Sequence, residues 1–320
     1  MTLPERKPPW LRVRLPGGER HEQFTRLKED LRRLDLNTVC EEAGCPNIYE
    51  CWGEGTLTIM ILGETCTRGC RFCSVHTGDP GGLVDPREPD HTGRMLAELD
   101  LAYVVLTMVD RDDLLDGGAE HVARTVQRTK ALSPGLLVET LVGDFQGSRR
   151  HVETLVTEGR PDVYGHNVEV VPSLQRRIRD ARCSWDQSIQ TLRWAKDAGA
   201  NVTKSSLMVG IGEAEDEVYA AMRELRDAGV DVVTLGQYLR PTKKHAPVQR
   251  YVEPAEFDRY RDAGREMGFA YVASGPLVRS SYRAAEAFLQ GFLRGEEAPF
   301  DDRYGRRAPG EGKKRLHVVR

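Results

Sequence analysis

Residues 57–75 read LTIMILGETCTRGCRFCSV, an apolar strand running into a short polar loop that carries Cys66, Cys70 and Cys73 as C-x3-C-x2-C. Three thiolates this close together can face a single object, and they leave a fourth coordination position unfilled by the loop itself. An iron–sulfur cube held in this way keeps one iron open to a small molecule. A closed zinc site needs a fourth protein ligand, and His76, three residues past Cys73, is the nearby side chain that would supply it. Both chemistries stay open at this point.

Six of the seven cysteines lie between residues 40 and 73. Cys40, Cys45 and Cys51 form an upstream C-x4-C-x5-C group, and Cys183 stands apart and reads as structural. A secreted disulfide scaffold is small and carries an export signal. This chain has 320 residues, and its first thirty hold three prolines before Trp10 rather than a signal or transit pattern. The thiols are therefore expected to be reduced ligands in a cytoplasmic protein. Net charge is −3 with bases dispersed among acids, which disfavours nucleic acid as a partner. No apolar run reaches the length of a membrane span, so no membrane partner is expected.

Phe24, Leu27, Leu31 and Leu34 recur at helical spacing and predict an amphipathic helix over 21–34. Residues 37–53 lack a period, and Gly44, Pro46, Asn47 and Gly53 mark them as loop. Beyond them strands and helices alternate. Strands are expected over 57–62, 102–107, 136–141, 162–169, 201–209 and 231–235, with a further strand or extended segment over 269–273. Helices are expected over 91–99, 120–131, 149–158, 174–180, 186–198, 213–227 and 255–267.

Such alternation implies parallel strands joined by right-handed crossovers. Polar residues gather at the strand ends: Thr107 with Asp110, Glu139 with Asp144, His166 with Asn167 and Glu169, Gln237 with Tyr238. In a barrel these ends converge over one mouth, whereas a doubly wound sheet concentrates function at a switch point. No glycine-rich dinucleotide loop follows the first strand. The expected fold is α/β, a partial (β/α)6 TIM-like barrel with N-terminal and C-terminal extensions covering its mouth. The divisions are 1–55 (extension with the upstream cysteines), 56–240 (barrel), 241–300 (C-terminal extension) and 301–320 (flexible tail). Lys204 shares a strand face with Ser206 and Met208, and if buried it needs an acid such as Glu169.

Six cysteines over one four-iron cube or one zinc ion would leave two unused, whereas two clusters with three cysteines each use them all. One zinc site with spare buried cysteines, or two electron-transfer clusters, are the alternatives. The bacterial ferredoxin spacing C-x2-C-x2-C-x3-C is not present.

The 66–73 loop, with Phe72 just before the third cysteine, resembles the radical S-adenosylmethionine superfamily. The upstream triad narrows the resemblance to the lipoyl synthase family. Stretches 109–118 (VDRDDLLDGG), 138–147 (VETLVGDFQG), 166–169 (HNVE), 234–242 (TLGQYLRPT) and 275–282 (GPLVRSSY) support it, and the likeness spans roughly residues 20–292.

The resemblance implies two [4Fe-4S] clusters and S-adenosyl-L-methionine as cofactors. It gives Cys66, Cys70 and Cys73 to the cluster that binds and reductively cleaves S-adenosylmethionine. Cys40, Cys45, Cys51 and Ser281 go to an auxiliary cluster that donates sulfur at C6 and C8 of an octanoyl-lysine. Read from the residues alone, Ser281 is equally a helix N-cap. Thr107, Asn167 and Glu169 are candidate S-adenosylmethionine contacts, with loop anchoring as their plainer role. The implied partners are octanoylated lipoyl carrier domains or glycine cleavage H protein, a low-potential donor such as ferredoxin or flavodoxin, and an iron–sulfur cluster carrier. A monomer is expected, and the basic stretch 243–250 could steer an acidic carrier domain. Another radical sulfur-inserting enzyme and a two-cluster electron-transfer protein are the competing readings.

Overall fold

The structure is a computed structural model that describes residues 7–12, 19–33, 38, 47–52, 56–99, 101–281, 289 and 291–293. Cys40, Cys45, Leu34 and the 301–320 segment lie outside the described residues.

Seven parallel strands form one sheet: β1 (Thr56–Ile61), β4 (Tyr103–Met108), β5 (Leu137–Leu141), β6 (Val163–Gly165), β7 (Val202–Val209), β8 (Val232–Gln237) and β9 (Tyr271–Gly275), adjacent in that order. A separate two-stranded ladder, β2 (Thr65–Cys66) with β3 (His76–Thr77), lies in the cysteine loop. The strands are apolar on both faces because both are covered, as parallel sheets require. On the outer face Val104, Leu106 and Val138 pack with Val122 and Val126 of helix Ala119–Leu132. On the inner face Tyr103, Val105, Val163, Val202, Val232, Tyr271 and Ala273 form a distinct core. The expected partial barrel is present. Its seventh strand is the segment at 271–275, which lies beyond the six-strand alternation but pairs with β8 from Val232↔Tyr271 onward.

Three local expectations are corrected. The strand expected over 162–169 is only Val163–Gly165, with an isolated bridge from Glu169 to Leu207. Glu169 has φ 67°, which breaks the extended run. Residues Ile48–Trp52, expected as loop, form a short helix. It carries buried Cys51 and Trp52, and Phe24 of helix Glu19–Arg33 stacks on Trp52 with ring centroids 5.4 Å apart. Lys204 pairs with Glu139, at 2.9 and 2.8 Å to its two oxygens, and not with Glu169. Tyr103 donates to the same carboxylate at 2.6 Å. Gly165 of the intervening strand leaves room for this pair, since a Cβ there would stand 3.4 Å from Glu139 Oε1 and 2.8 Å from Thr140 O.

The N-terminal extension meets both edges of the sheet. Thr38 forms an antiparallel bridge with Ile59 of β1, the first strand. Asn47 Nδ2 donates to Leu277 O at 2.6 Å, two residues past the end of the last strand. The chain after β9 turns back over the mouth, and Gly236 of β8 makes this approach sterically open: a Cβ there would stand 2.0 Å from Val278 O.

Candidate active site

Strand β1 hands the chain to Leu62 and Gly63, both at positive φ (67° and 83°), which turns it into the cysteine loop at the mouth. Cys66 lies in β2, opposite Thr77 of β3. Because side chains alternate along a strand, His76 shares the other face with Thr65, and it is exposed. His76 is therefore not placed to complete a Cys3His zinc site with Cys66.

Backbone N–H groups point at the sulfurs. Arg68 N donates to Cys66 Sγ at 3.4 Å and Asp180 N to Cys70 Sγ at 3.3 Å, while Val75 supplies a backbone donor to Cys73. This is how a protein stabilises thiolate ligands of a cluster. Without a metal the thiols are held protonated. Burial pushes Cys66 up and Cys73 up to about 11, and a hydrogen bond with Cys183 followed by burial raises Cys70. That same bond holds Cys183 below the usual thiol range. Loading a cluster must therefore displace protons.

The loop is fixed by an arginine that the sequence reading did not single out. Arg68 is only 3 % exposed. Its Nη1 and Nη2 donate to Asp144 at 2.8 and 2.7 Å, and its Nε and Nη2 donate to Asp112 at 2.9 and 2.7 Å. Nη1 also lies 3.5 Å from Asp110 Oδ1 and 3.4 Å from Cys183 Sγ. Burial alone would raise the Asp144 carboxyl, but Arg68 outweighs it and holds the group below the usual carboxylate range. Asp110 is pushed up to about 6, because burial outweighs the pull of Arg68. Asp112 and Asp144 are thus ion-pair partners, and Asp144 also caps the turn Phe145–Gly147 through Gln146 N.

On the outer side, Arg71 N donates to Ile178 O and Arg71 O accepts from Ala246 N, each at 2.8 Å. His245 Nε2 meets Cys73 O at 2.9 Å. Segments 176–183 and 240–246 therefore clasp the cysteine loop from two sides.

Thr107, at the inward end of β4, donates to Leu141 O at 2.9 Å, so its oxygen retains acceptor capacity. Strand β6 ends at Gly165, so His166 and Asn167 lie beyond it. His166 is buried: Val142 O can only accept, so Nδ1 carries the proton (2.9 Å), and Nε2 faces Ser188 Oγ at 3.0 Å. Asn167 hydrogen-bonds Glu169, whose half-buried carboxyl is raised by loss of hydration and adds negative charge near Cys73. Arg179, also not singled out from sequence, is 8 % exposed and donates to Ser188 Oγ at 2.8 Å, yet its Nε is buried with no hydrogen-bond partner. Cys51 is buried and Ser281 half-buried. Asn47, between Cys45 and Cys51 in sequence, ties their segment to the turn that leads to Ser281. Among the described residues no three His, Cys, Asp or Glu side chains are gathered closely enough to hold a single metal ion.

Residues 60–225 match the radical S-adenosylmethionine superfamily model, and residues 2–45 match the N-terminal domain of lipoyl synthase of that family. A lipoyl synthase from Sorangium cellulosum is 61% identical over 302 residues, spanning 90% of this chain and 80% of that protein. The mitochondrial lipoyl synthase of Rattus norvegicus is 53% identical over 294 residues, with 90% and 78% coverage. A lipoyl synthase from Thermus thermophilus is 53% identical over 289 residues, with 90% and 88% coverage. Among solved structures, methylornithine synthase superimposes with a TM-score of 0.54 at 16% identity, over 76% of this chain and 74% of that one. An FeFe-hydrogenase maturase from Carboxydothermus hydrogenoformans gives 0.51 at 12% identity, over 86% and 79%. These two show a shared fold. With the cysteine loop at the barrel mouth and the sequence identity extending through both cysteine groups, the chain belongs to the lipoyl synthase family of radical S-adenosylmethionine enzymes.

Proposed function

We propose that this chain inserts two sulfur atoms, at C6 and C8, into an octanoyl group amide-linked to a lysine of a lipoyl carrier domain or glycine cleavage H protein. One observation carries the reading. The barrel mouth receives the 66–73 cysteine loop and also the turn leading to Ser281, to which Asn47 ties the segment of the second cysteine group. A sulfur-inserting enzyme needs both at one place.

The donor set fits the cofactors. Three cysteines with no disulfide, each half-buried and met by backbone N–H groups, suit a four-iron cluster with one open iron. The unpartnered Arg179 Nε suits the carboxylate of S-adenosylmethionine. When bound, the first cluster and S-adenosylmethionine supply hydrogen abstraction from unactivated carbon, and a second cluster on Cys40, Cys45, Cys51 and Ser281 supplies the sulfur.

The protein's own part is position and exclusion of water. Arg68 locks the cysteine loop onto Asp112 and Asp144. Thr107, Asn167 and Glu169 line the cofactor side of the mouth, where Glu169 presents an acceptor to the ammonium or ribose of S-adenosylmethionine. A low-potential donor such as ferredoxin or flavodoxin and an iron–sulfur cluster carrier complete the cycle.

The test is anaerobic reconstitution, then iron and sulfide analysis, then a single turnover with S-adenosylmethionine, reductant and an octanoyl-lysyl peptide read by mass spectrometry. A product gaining two sulfurs with loss of about half the iron is expected. Intact clusters that yield neither 5'-deoxyadenosine nor a sulfur-containing product would refute the reading.

A further inference from the structure

The outer face of the cysteine loop carries an uncompensated positive charge. Arg71, Arg176, Arg177, Arg240, Lys243 and Lys244 are all exposed. Arg71 is itself in the loop, between Cys70 and Cys73, and its guanidinium donates to Arg177 O at 3.2 Å. Arg177 donates to Ile211 O at 3.4 Å, and Arg240 donates to the carbonyls of His245 and Lys243. These bonds go to backbone, so none of the charge is neutralised. Among the described residues none of the six meets a carboxylate, whereas exposed Arg87, Arg149 and Arg259 elsewhere each pair with an acid.

The six cations come from three separate segments, 71, 176–177 and 240–244, that the backbone bonds already described hold against one another. The three segments meet at residue 71 of the loop, on a chain whose net charge is −3. A concentrated, rigid field of one sign on an acidic molecule acts as a steering surface for an oppositely charged partner.

We propose that this face docks an acidic one-electron donor protein, which reduces the group held by Cys66, Cys70 and Cys73. The inference rests on the functional reading above. Its occupant follows from position: the cations flank the outer side of the very loop that must receive an electron, while the octanoyl chain must enter through the barrel mouth. Each productive encounter oxidises the donor's reduced cofactor by one electron and reduces the cysteine-held group by one. No further reductant enters the balance.

The experiment uses the anaerobically reconstituted full chain and a variant carrying Arg176→Glu, Lys243→Glu and Lys244→Glu, three exposed positions outside the cysteine loop. Cleavage of S-adenosylmethionine is driven either by dithionite or by a reduced acidic flavodoxin, and flavodoxin binding is titrated separately by fluorescence anisotropy. Dithionite-driven rates and iron content should match the parent within about twofold, while flavodoxin-driven kcat/KM and affinity fall about tenfold or more at low salt. The parent's flavodoxin-driven rate should itself fall as salt is raised. Unchanged flavodoxin binding and kinetics in the variant would overturn the proposal. So would a loss confined to affinity for an octanoylated carrier domain, which would assign the face to the substrate. A parent that cleaves nothing with dithionite yet binds flavodoxin through this face would refute the functional reading and leave the docking face standing.

Discussion

Asn47 and Leu277 lie 230 residues apart, and Asn47 Nδ2 donates to Leu277 O at 2.6 Å. With the Thr38–Ile59 bridge on β1, this bond makes the N-terminal extension span from the first strand of the sheet to the turn after the last. An open barrel has two free edges, and here the segment bearing the upstream cysteines meets the chain at both. The bond couples the stretch that starts at Asn47 and holds Cys51 to the turn that leads from Leu277 to Ser281, two stretches with no local relationship in sequence.

Asn47→Ala should loosen that coupling. The lost hydrogen bond is worth about 1 kcal/mol, too little to unfold a domain of this size. The expected result is a reconstituted protein that keeps dithionite-driven cleavage of S-adenosylmethionine but loses auxiliary iron on desalting faster than the parent, with fewer sulfur insertions per cleavage. Equal iron retention and equal coupling would show that the bond does not position the second cysteine group.

Arg68 is predicted to be a structural anchor of the first cysteine loop. Asp144 is fully buried, so removing the guanidinium strands a buried carboxylate. Breaking such a pair from one side destabilises by about 3–5 kcal/mol. Arg68→Met should lower the urea midpoint of the metal-free protein accordingly, and Arg68→Lys, which cannot bridge Asp112 and Asp144 in bidentate fashion, should fall between. A loss below about 1 kcal/mol for Arg68→Met would mean the carboxylates find other partners.

The barrel was legible in the sequence because strictly alternating apolar runs and amphipathic helices admit few topologies. Both cysteine spacings were legible because ligand sets are local patterns. Side-chain pairing across strands was not. Lys204 could be flagged as a buried cation needing an acid, but the choice of Glu139 over Glu169 depends on register and on the space at Gly165. Arg68 sits inside the cysteine loop and five aspartates lie in two distant stretches, 110–116 and 144, yet only the fold brings Asp112 and Asp144 to its two sides. The helix Ile48–Trp52 is too short to display a period, and its stability comes from burying Cys51 and Trp52 rather than from propensity.

His166 predicts a pH dependence of stability. Burial holds its imidazole neutral and brings its pKa down to about 4, from an ordinary value near 6.5. A group depressed in the fold contributes stability that is present above its unfolded pKa and is lost as pH falls toward the folded one. The metal-free protein should therefore lose up to about 3 kcal/mol between pH 6.5 and 4 through this residue. His166→Gln should flatten the dependence of the urea midpoint on pH across that window, even if it lowers stability at pH 7. Parallel pH profiles for parent and variant would show that His166 is not the titrating group.

Gly236 offers the sharpest test of how the C-terminal turn reaches the mouth. Its backbone is ordinary β-strand, so the requirement for glycine there is one of space alone: an added Cβ would stand 2.0 Å from Val278 O and 3.0 Å from Val278 C. Both are main-chain atoms, so the turn must move. Gly236→Ala should cost about 1–3 kcal/mol and displace the 276–281 segment, while β8 keeps its register with β7 and β9. The functional consequence is selective. Dithionite-driven cleavage of S-adenosylmethionine should survive, since the cysteine loop is clasped by other segments, whereas iron held with Ser281 and sulfur insertion should fall together by about tenfold or more. Joint retention of both activities would show that Ser281 is delivered to the second cluster without the close approach over Gly236.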